Sequence, residues 1–353
     1  MTHPSRLPVE FPSDEWLLDG DLESLGVDPG KWESFKSSLN IRGASWEGED
    51  HTGNQWGVVV TRRGRVIGSW GDPEYRFQTA SVGKAFTWAA FGLAHDAGMV
   101  DPDDPVNATW TGEGELSHEH KFLDRGHHTE LTWRHLLGSK STYGHDGGFP
   151  VTNGYYWRKR SSAQMSSQKS FKAPDWAEWT GDPFFDNYSH AKPGTERIYS
   201  SGGIWRLSQA LTVLWQQDLK QVLDDGLMSK IGIPPDRWDW FPGKTVHDDP
   251  NWYPNMAGYG DFIDPPYEIA GRIIRGGGGW VVSSAADLAR FGLLVATEGK
   301  WDGEQVIGND WLRGHGGGNG SLMNGDPETL TSIGVVTAEG FEWPLPGEVF
   351  DER

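Results

Sequence analysis

The apolar positions of the chain fall into a few readable elements. Residues 56–70 read WGVVVT, then RRGR, then VIGSW. Two β-branched runs around a glycine-containing turn predict a hairpin. Residues 81–97, SVGKAFTWAAFGLAHDA, are apolar almost all round, which predicts a helix buried on every side. Gly98 is placed to end that helix in the left-handed conformation, and DPDDP follows as a stop. LTWRHLLG at 131–138 has helical spacing, and a second helix is predicted from Ile198 to Leu214, with Ser200 and Ser201 available as its cap. Residues 155–180 are polar and mixed, the pattern of a long surface excursion. Toward the C-terminus, GRIIRGGGGWVVSS predicts a glycine-rich bend between short strands. Residues 284–299 predict an amphipathic helix between Ser284 and Gly299. Residues 320–338 predict two strands around NGDPE.

Strands therefore lie at both ends of the chain, with a mainly helical stretch between them. The expected fold class is α+β: an antiparallel β-sheet flanked by helices, beside a mainly helical second domain. The sheet domain is expected from residues 25–100 and 266–353, and the helical domain with long loops from 101–265. No internal repeat is present.

Composition narrows the function more than the fold. A chain of 353 residues buries a sizeable core. Its net charge of −19 opposes binding to nucleic acid or to anionic membrane. The absence of cysteine removes disulfides, thiol catalysis and cysteine zinc sites. The first residues, MTHPSRLPVEFPSDEW, have no secretory pattern, and no window is apolar for long enough to span a bilayer. A cytoplasmic location is the resulting expectation. The 20 tryptophans are read mainly as packing residues.

Ser-x-x-Lys occurs three times, at Ser81/Lys84, Ser166/Lys169 and Ser189/Lys192. Only inside a helix does this spacing put hydroxyl and amine on one face. Pro193 disfavours helix at Lys192, and Ser166 lies in a polar tract without an apolar stripe. Ser81 alone opens a strongly apolar helix. There the helix N-terminus favours a developing oxyanion near Ser81, and apolar walls favour a neutral Lys84 amine as general base. A second reading stays open on this window alone: Ser81 as a helix cap and Lys84 snorkelling to water.

The segment TASVGKAFTWAAFGLAHDAGMVDPDDPV resembles the active-site helix of the serine β-lactamase-like family, which includes class C β-lactamases, D-alanyl-D-alanine peptidases and family VIII carboxylesterases. LTWRHLLGSKSTYG, KPGTERIYSSGGIWRLSQAL, GGGGWVVSSAADLARFG and RGHGGGNGS resemble further segments of that family, in the same order. The resemblance spans roughly residues 25–340 and implies a β-lactamase/transpeptidase-like fold. It implies Ser81 as nucleophile, Lys84 as its activating partner, and Tyr199 as the tyrosine that passes the proton to the leaving group. His315, Gly316 and Gly317 match the third motif, and Gly318 would supply an oxyanion N–H beside that of Ser81. Two positions depart from the family pattern. Ser201 stands where Asn is usual, and His315 stands where Lys is usual, which weakens recognition of a carboxylate and favours esters.

His315-Gly-Gly-Gly also resembles an oxyanion loop of another hydrolase fold, but Asn319 sits where the required glycine before Ser321 should be. Two more stretches, His51-Thr52-Gly53 and His145-Asp146-Gly147, match the third motif out of order and read as loops. His118, Glu119, His120, His127, His128 and His135 offer a zinc alternative, without HExxH spacing and read mainly as solvated loop residues. Gly276–Gly279 lacks the Lys-Ser/Thr of a phosphate loop. The expectation is a serine hydrolase acting on a small ester or amide, carboxylesterase-like, with no cofactor and no metal. A β-lactamase, a D-amino-acid peptidase or amidase, and an inactive ligand-binding homologue are the alternatives.

Overall fold

The computed structural model describes residues 8–18, 21–38, 54–112, 123–124, 126–138, 192–195, 197, 199, 201–248 and 266–338. The expected surface excursion at 155–180, the other two Ser-x-x-Lys pairs, and the motif-like His51 and His145 stretches lie outside these residues or are only partly within them. Five helices carry the argument: α1 (Pro29–Ser38), α2 (Gly83–Asp96), α3 (Trp133–Leu137), α4 (Ser201–Trp215) and α5 (Ala285–Ala296). The strands that carry it are β1 (Leu17–Leu18), β2 (Trp56–Arg62), β3 (Arg65–Gly71), β4 (Phe77–Gln78), β5 (Val281–Ser283), β6 (His315–Gly316), β7 (Leu322–Asp326) and β8 (Thr331–Thr337). The chain divides into two compact units. The first holds residues 1–85, 224–239 and 281–353, and the second 86–223 and 240–280. The sequence patterns had put the divisions at 100 and 265.

In the first unit, β1, β3, β2, β8, β7 and β6 hydrogen-bond in that order. The two ends of the chain meet where β2 pairs antiparallel with β8, with Val58 opposite Val335 and Val60 opposite Ile333. The sheet is mixed rather than purely antiparallel, because β1 runs parallel to β3. Arg63 and Gly64, both with positive φ, close the β2–β3 hairpin; two such residues match a turn to the twist of its strands. At the other hairpin, β7 continues through Asn324–Asp326, so the turn lies later than NGDPE suggests.

Alternate residues of β2 and β8 face opposite layers. Val58, Val60, Ile333 and Val335 pack with Trp32, Trp56 and Trp70 in one core. Gly334 and Ser332 face α5 instead. A Cβ on Gly334 would fall 2.1 Å from Ala285 O and 2.6 Å from Ala289 N, and one on Gly325 would fall 1.9 Å from Gly292 O. The helix backbone thus rests directly on the strands. Gly334→Val is expected to destabilise the protein by about 3 kcal/mol or more, because neither backbone can retreat. A urea midpoint within error of wild type would show that the helix can lift away.

The twelve residues of α5 are all buried, so it is not the amphipathic helix predicted from sequence. Ser284 caps it, accepting from the Asp287 N–H at 3.2 Å. The two charged residues that suggested a polar face are held internally. Asp287 pairs with Arg237 at 3.0 Å, and Arg290 donates to the carbonyls of Pro12, Ser13, Asp14 and Ile231.

In the second unit, α2 is buried from its entry at Phe86 to Gly92, and Gly98 follows it with φ +67°. Helix α4 starts at Ser201, three residues later than predicted. Trp205, Val246, Tyr267, Ile274 and Trp280 form a core. The glycine run 276–279 serves close packing: a Cβ on Gly277 would lie 2.6 Å from Ile204 O, and its carbonyl accepts from Thr87 Oγ1 at 2.7 Å. Eight tryptophans of the described residues are almost wholly buried, as packing predicts. No helix of the described residues is long and apolar enough to cross a membrane.

Candidate active site

Ser81 does not begin the α-helix. It sits at the centre of a 3₁₀ turn, Ala80–Val82, and α2 starts at Gly83. The turn is fastened from below. Thr79 donates through both its N–H and its hydroxyl to Val281 O, at 2.8 Å and 3.0 Å. The Ala80 N–H donates to Gln78 Oε1 at 2.8 Å. Ala80 has φ +48°, a conformation that costs an L-residue about 1 kcal/mol or more. Such strain persists only where the surroundings impose it, and it clusters at functional sites.

Lys84 is 2 % exposed, and its Nζ donates to Ser81 Oγ at 2.9 Å. The snorkelling reading is thereby overturned: this amine points to the serine, not to solvent. Nor does Ser81 cap the turn, since Thr79 holds the N-cap position. A buried amine in hydrogen-bond contact with a half-buried serine hydroxyl is the arrangement that activates a nucleophile.

The third-motif residues belong to the same unit. β6 forms the edge of the sheet, with His315 opposite Met323 and Gly316 opposite Leu322. It runs against the turn that holds Ser81, for a Cβ on Gly317 would lie 2.4 Å from Thr79 O and 3.1 Å from Ala80 Cβ. Only glycine fits that approach. Gly318 follows at the exposed tip of the turn.

Burial pushes the His315 imidazole down to about 4, and the charges of Lys84 and Arg313 push the same way. His315 is therefore neutral across the physiological range. The folded value lies below the ordinary 6.5, so the folded protein binds fewer protons than the unfolded chain between about pH 4 and 6.5. The stability linked to this group is present above pH 6.5 and is lost as pH falls toward 4. His315→Gln should reduce the acid destabilisation in a Tm-against-pH series and leave the pH–rate profile above pH 5 unchanged. A limb near pH 6.5 that vanishes in the variant would contradict this.

Tyr199 and Ser201 lie in the second unit. Tyr199 is 40 % exposed, just before α4, and Ser201 is the buried first residue of that helix, against Gly278. Within the histidine-rich stretch, His118, Glu119 and His120 and the side chain of His127 lie outside the described residues. His128 is buried rather than solvated. His135 accepts the Thr132 N–H on Nδ1 in a capping box of α3. Sequence reasoning missed Gln78 and Asn319. In the sequence Asn319 only breaks a rival motif, although its place between two glycines marks a tight turn.

The family model described as Beta-lactamase matches residues 38–322. The chain belongs to the Beta-lactamase family. This is a family of serine hydrolases. The family VIII carboxylesterase structure superposes with a TM-score of 0.55 at 14 % identity, covering 92 % of this chain and 94 % of that one. A penicillin-binding protein homolog from Caulobacter crescentus gives 0.54 at 15 % identity, covering 88 % and 92 %. EstCE1, a hydrolase with promiscuous acyltransferase activity, gives 0.52 at 16 % identity, covering 80 % and 88 %. At these identities the likeness is one of fold, and it establishes the β-lactamase/transpeptidase-like architecture for this Beta-lactamase family chain. No curated protein sequence matches it.

Proposed function

We propose that this Beta-lactamase family protein is a carboxylesterase-like serine hydrolase working through a Ser81 acyl-enzyme. The observation that carries the reading is the 2.9 Å contact between the buried Lys84 amine and the Ser81 hydroxyl. In the reacting complex a neutral Lys84 accepts the Ser81 proton, and Oγ attacks the carbonyl carbon. The carbonyl oxygen becomes an oxyanion held by the N–H groups of Ser81 and Gly318. Collapse expels the alcohol, which takes the proton by way of Lys84 and Tyr199. Water, activated by the same two groups, then attacks the acyl-enzyme and releases the acid.

Substrate preference follows from His315. A neutral imidazole offers a hydrogen bond and no charge, so a substrate carboxylate gains little there compared with an ammonium. Ser201 is also shorter than the usual Asn and reaches less far toward an amide. Both features favour an uncharged ester over a β-lactam or a D-amino-acid peptide. The test compares kcat/KM for p-nitrophenyl acetate and butyrate with that for a chromogenic cephalosporin. A clear preference for the esters supports the proposal. Faster cephalosporin hydrolysis makes the protein a β-lactamase instead.

A further inference from the structure

The third-motif strand ends in a tight turn: Gly317 N–H donates to Ser321 O at 2.7 Å, and Gly320 N–H donates to Gly317 O at 3.0 Å. Gly318 and Asn319 form its tip. The Asn319 side chain does not point outward to solvent. Its Nδ2 donates to Gln78 O at 3.0 Å and to Thr337 O at 3.1 Å, and its Oδ1 accepts the Ser321 N–H at 3.1 Å. One amide thus joins the turn to β4 and to the end of β8.

Gln78 is the other half of the link. Its backbone carbonyl receives Asn319, and its side-chain Oε1 receives the Ala80 N–H at 2.8 Å. Two consecutive hydrogen bonds therefore lead from the turn bearing Gly318 to the turn bearing Ser81. The two turns also touch, since Gly317 leaves no space for a Cβ above Thr79 O. An oxyanion hole works only when both donors are held at a fixed separation before the charge develops. A displacement of about 1 Å costs on the order of 10²-fold in rate.

We infer that Asn319 is a positioning residue: with Gln78, it fixes the spacing between the Ser81 and Gly318 N–H groups. The inference rests on the proposal above that these two groups form the oxyanion hole. Asn319 touches no substrate; it acts through the Gly318 peptide.

The test measures Asn319→Ala beside wild type and Ser81→Ala, with p-nitrophenyl acetate as substrate and an alkyl boronic acid as inhibitor. The boronic acid adds to Ser81 and places a tetrahedral anionic oxygen in the hole. Positioning predicts that kcat falls about 10²-fold while KM changes less than about threefold. Boronate affinity should fall in proportion to kcat, at a temperature well below the variant's Tm. If Asn319→Ala does not fold, Gln78→Leu, which breaks the link at its other end, is expected to show the same pattern. A lowered Tm with unchanged kcat and boronate affinity overturns the inference and makes Asn319 a structural residue only. If Ser81→Ala matches wild type, or wild type is inert toward the ester, the hydrolase reading itself fails and the inference fails with it.

Discussion

Ser81→Ala should hydrolyse p-nitrophenyl acetate on the order of 10⁴- to 10⁶-fold more slowly than wild type. The loss should appear in kcat, because the missing oxygen forms a bond only as the reaction proceeds. It should not appear in stability. The turn around residue 81 is held by Gln78 Oε1 and Val281 O rather than by the serine hydroxyl. Thermal unfolding beside steady-state kinetics separates the two effects. An active Ser81→Ala protein would remove the nucleophile, whatever the family match implies.

Lys84→Met should also be damaging, by a smaller factor, and tests a different part of the account. Methionine keeps most of the apolar stem and fills the buried space, so packing is largely conserved. What disappears is the nitrogen 2.9 Å from Ser81 Oγ. Losing a general base costs about 10²- to 10⁴-fold in rate, and the acylation step should carry the loss, read as slower appearance of the acyl-enzyme mass. The Tm should hold or rise, since a buried amine is replaced by an apolar group. A Tm that collapses while the residual rate stays high would make Lys84 a structural residue instead.

The legible parts of this chain were those whose causes are local. The β2–β3 hairpin is written in two β-branched runs and the Arg63–Gly64 turn, and α2 in an unbroken apolar stretch ended by Gly98. Ser81 and Lys84 could be paired because three residues of spacing needed only a helical turn to bring them together. The illegible parts depend on partners distant in sequence. Asp287 and Arg290 look like a solvated helix face, yet Arg237 and the backbone of residues 12–14 and Ile231 enclose them. That burial pushes the Asp287 carboxyl up to about 6, aided by Glu74 and opposed by Arg237, Arg290 and the Ser284 hydroxyl.

The same distinction holds inside the site. The third-motif glycines could be matched by pattern, but the physical reason for Gly317 is its close approach to Thr79 O and Ala80 Cβ. The flanking glycines mark a turn at Asn319, but nothing local announces its partners, because Gln78 and Thr337 lie on two other strands. The Ala80 strain was equally hidden: alanine is a common residue, and only its φ marks it. The start of α2 at Gly83, after a 3₁₀ turn, and the late start of α4 are boundary shifts, the least determined feature of any helical pattern.

The central claim, that Ser81 is the nucleophile of a hydrolase, is tested most directly by labelling the native protein with a fluorophosphonate and mapping the adduct by peptide mass spectrometry. The account predicts one adduct per chain, on the peptide containing Ser81, formed at a rate that falls in Lys84→Met. An adduct on any other residue, or none in a protein that still hydrolyses the ester, would contradict it.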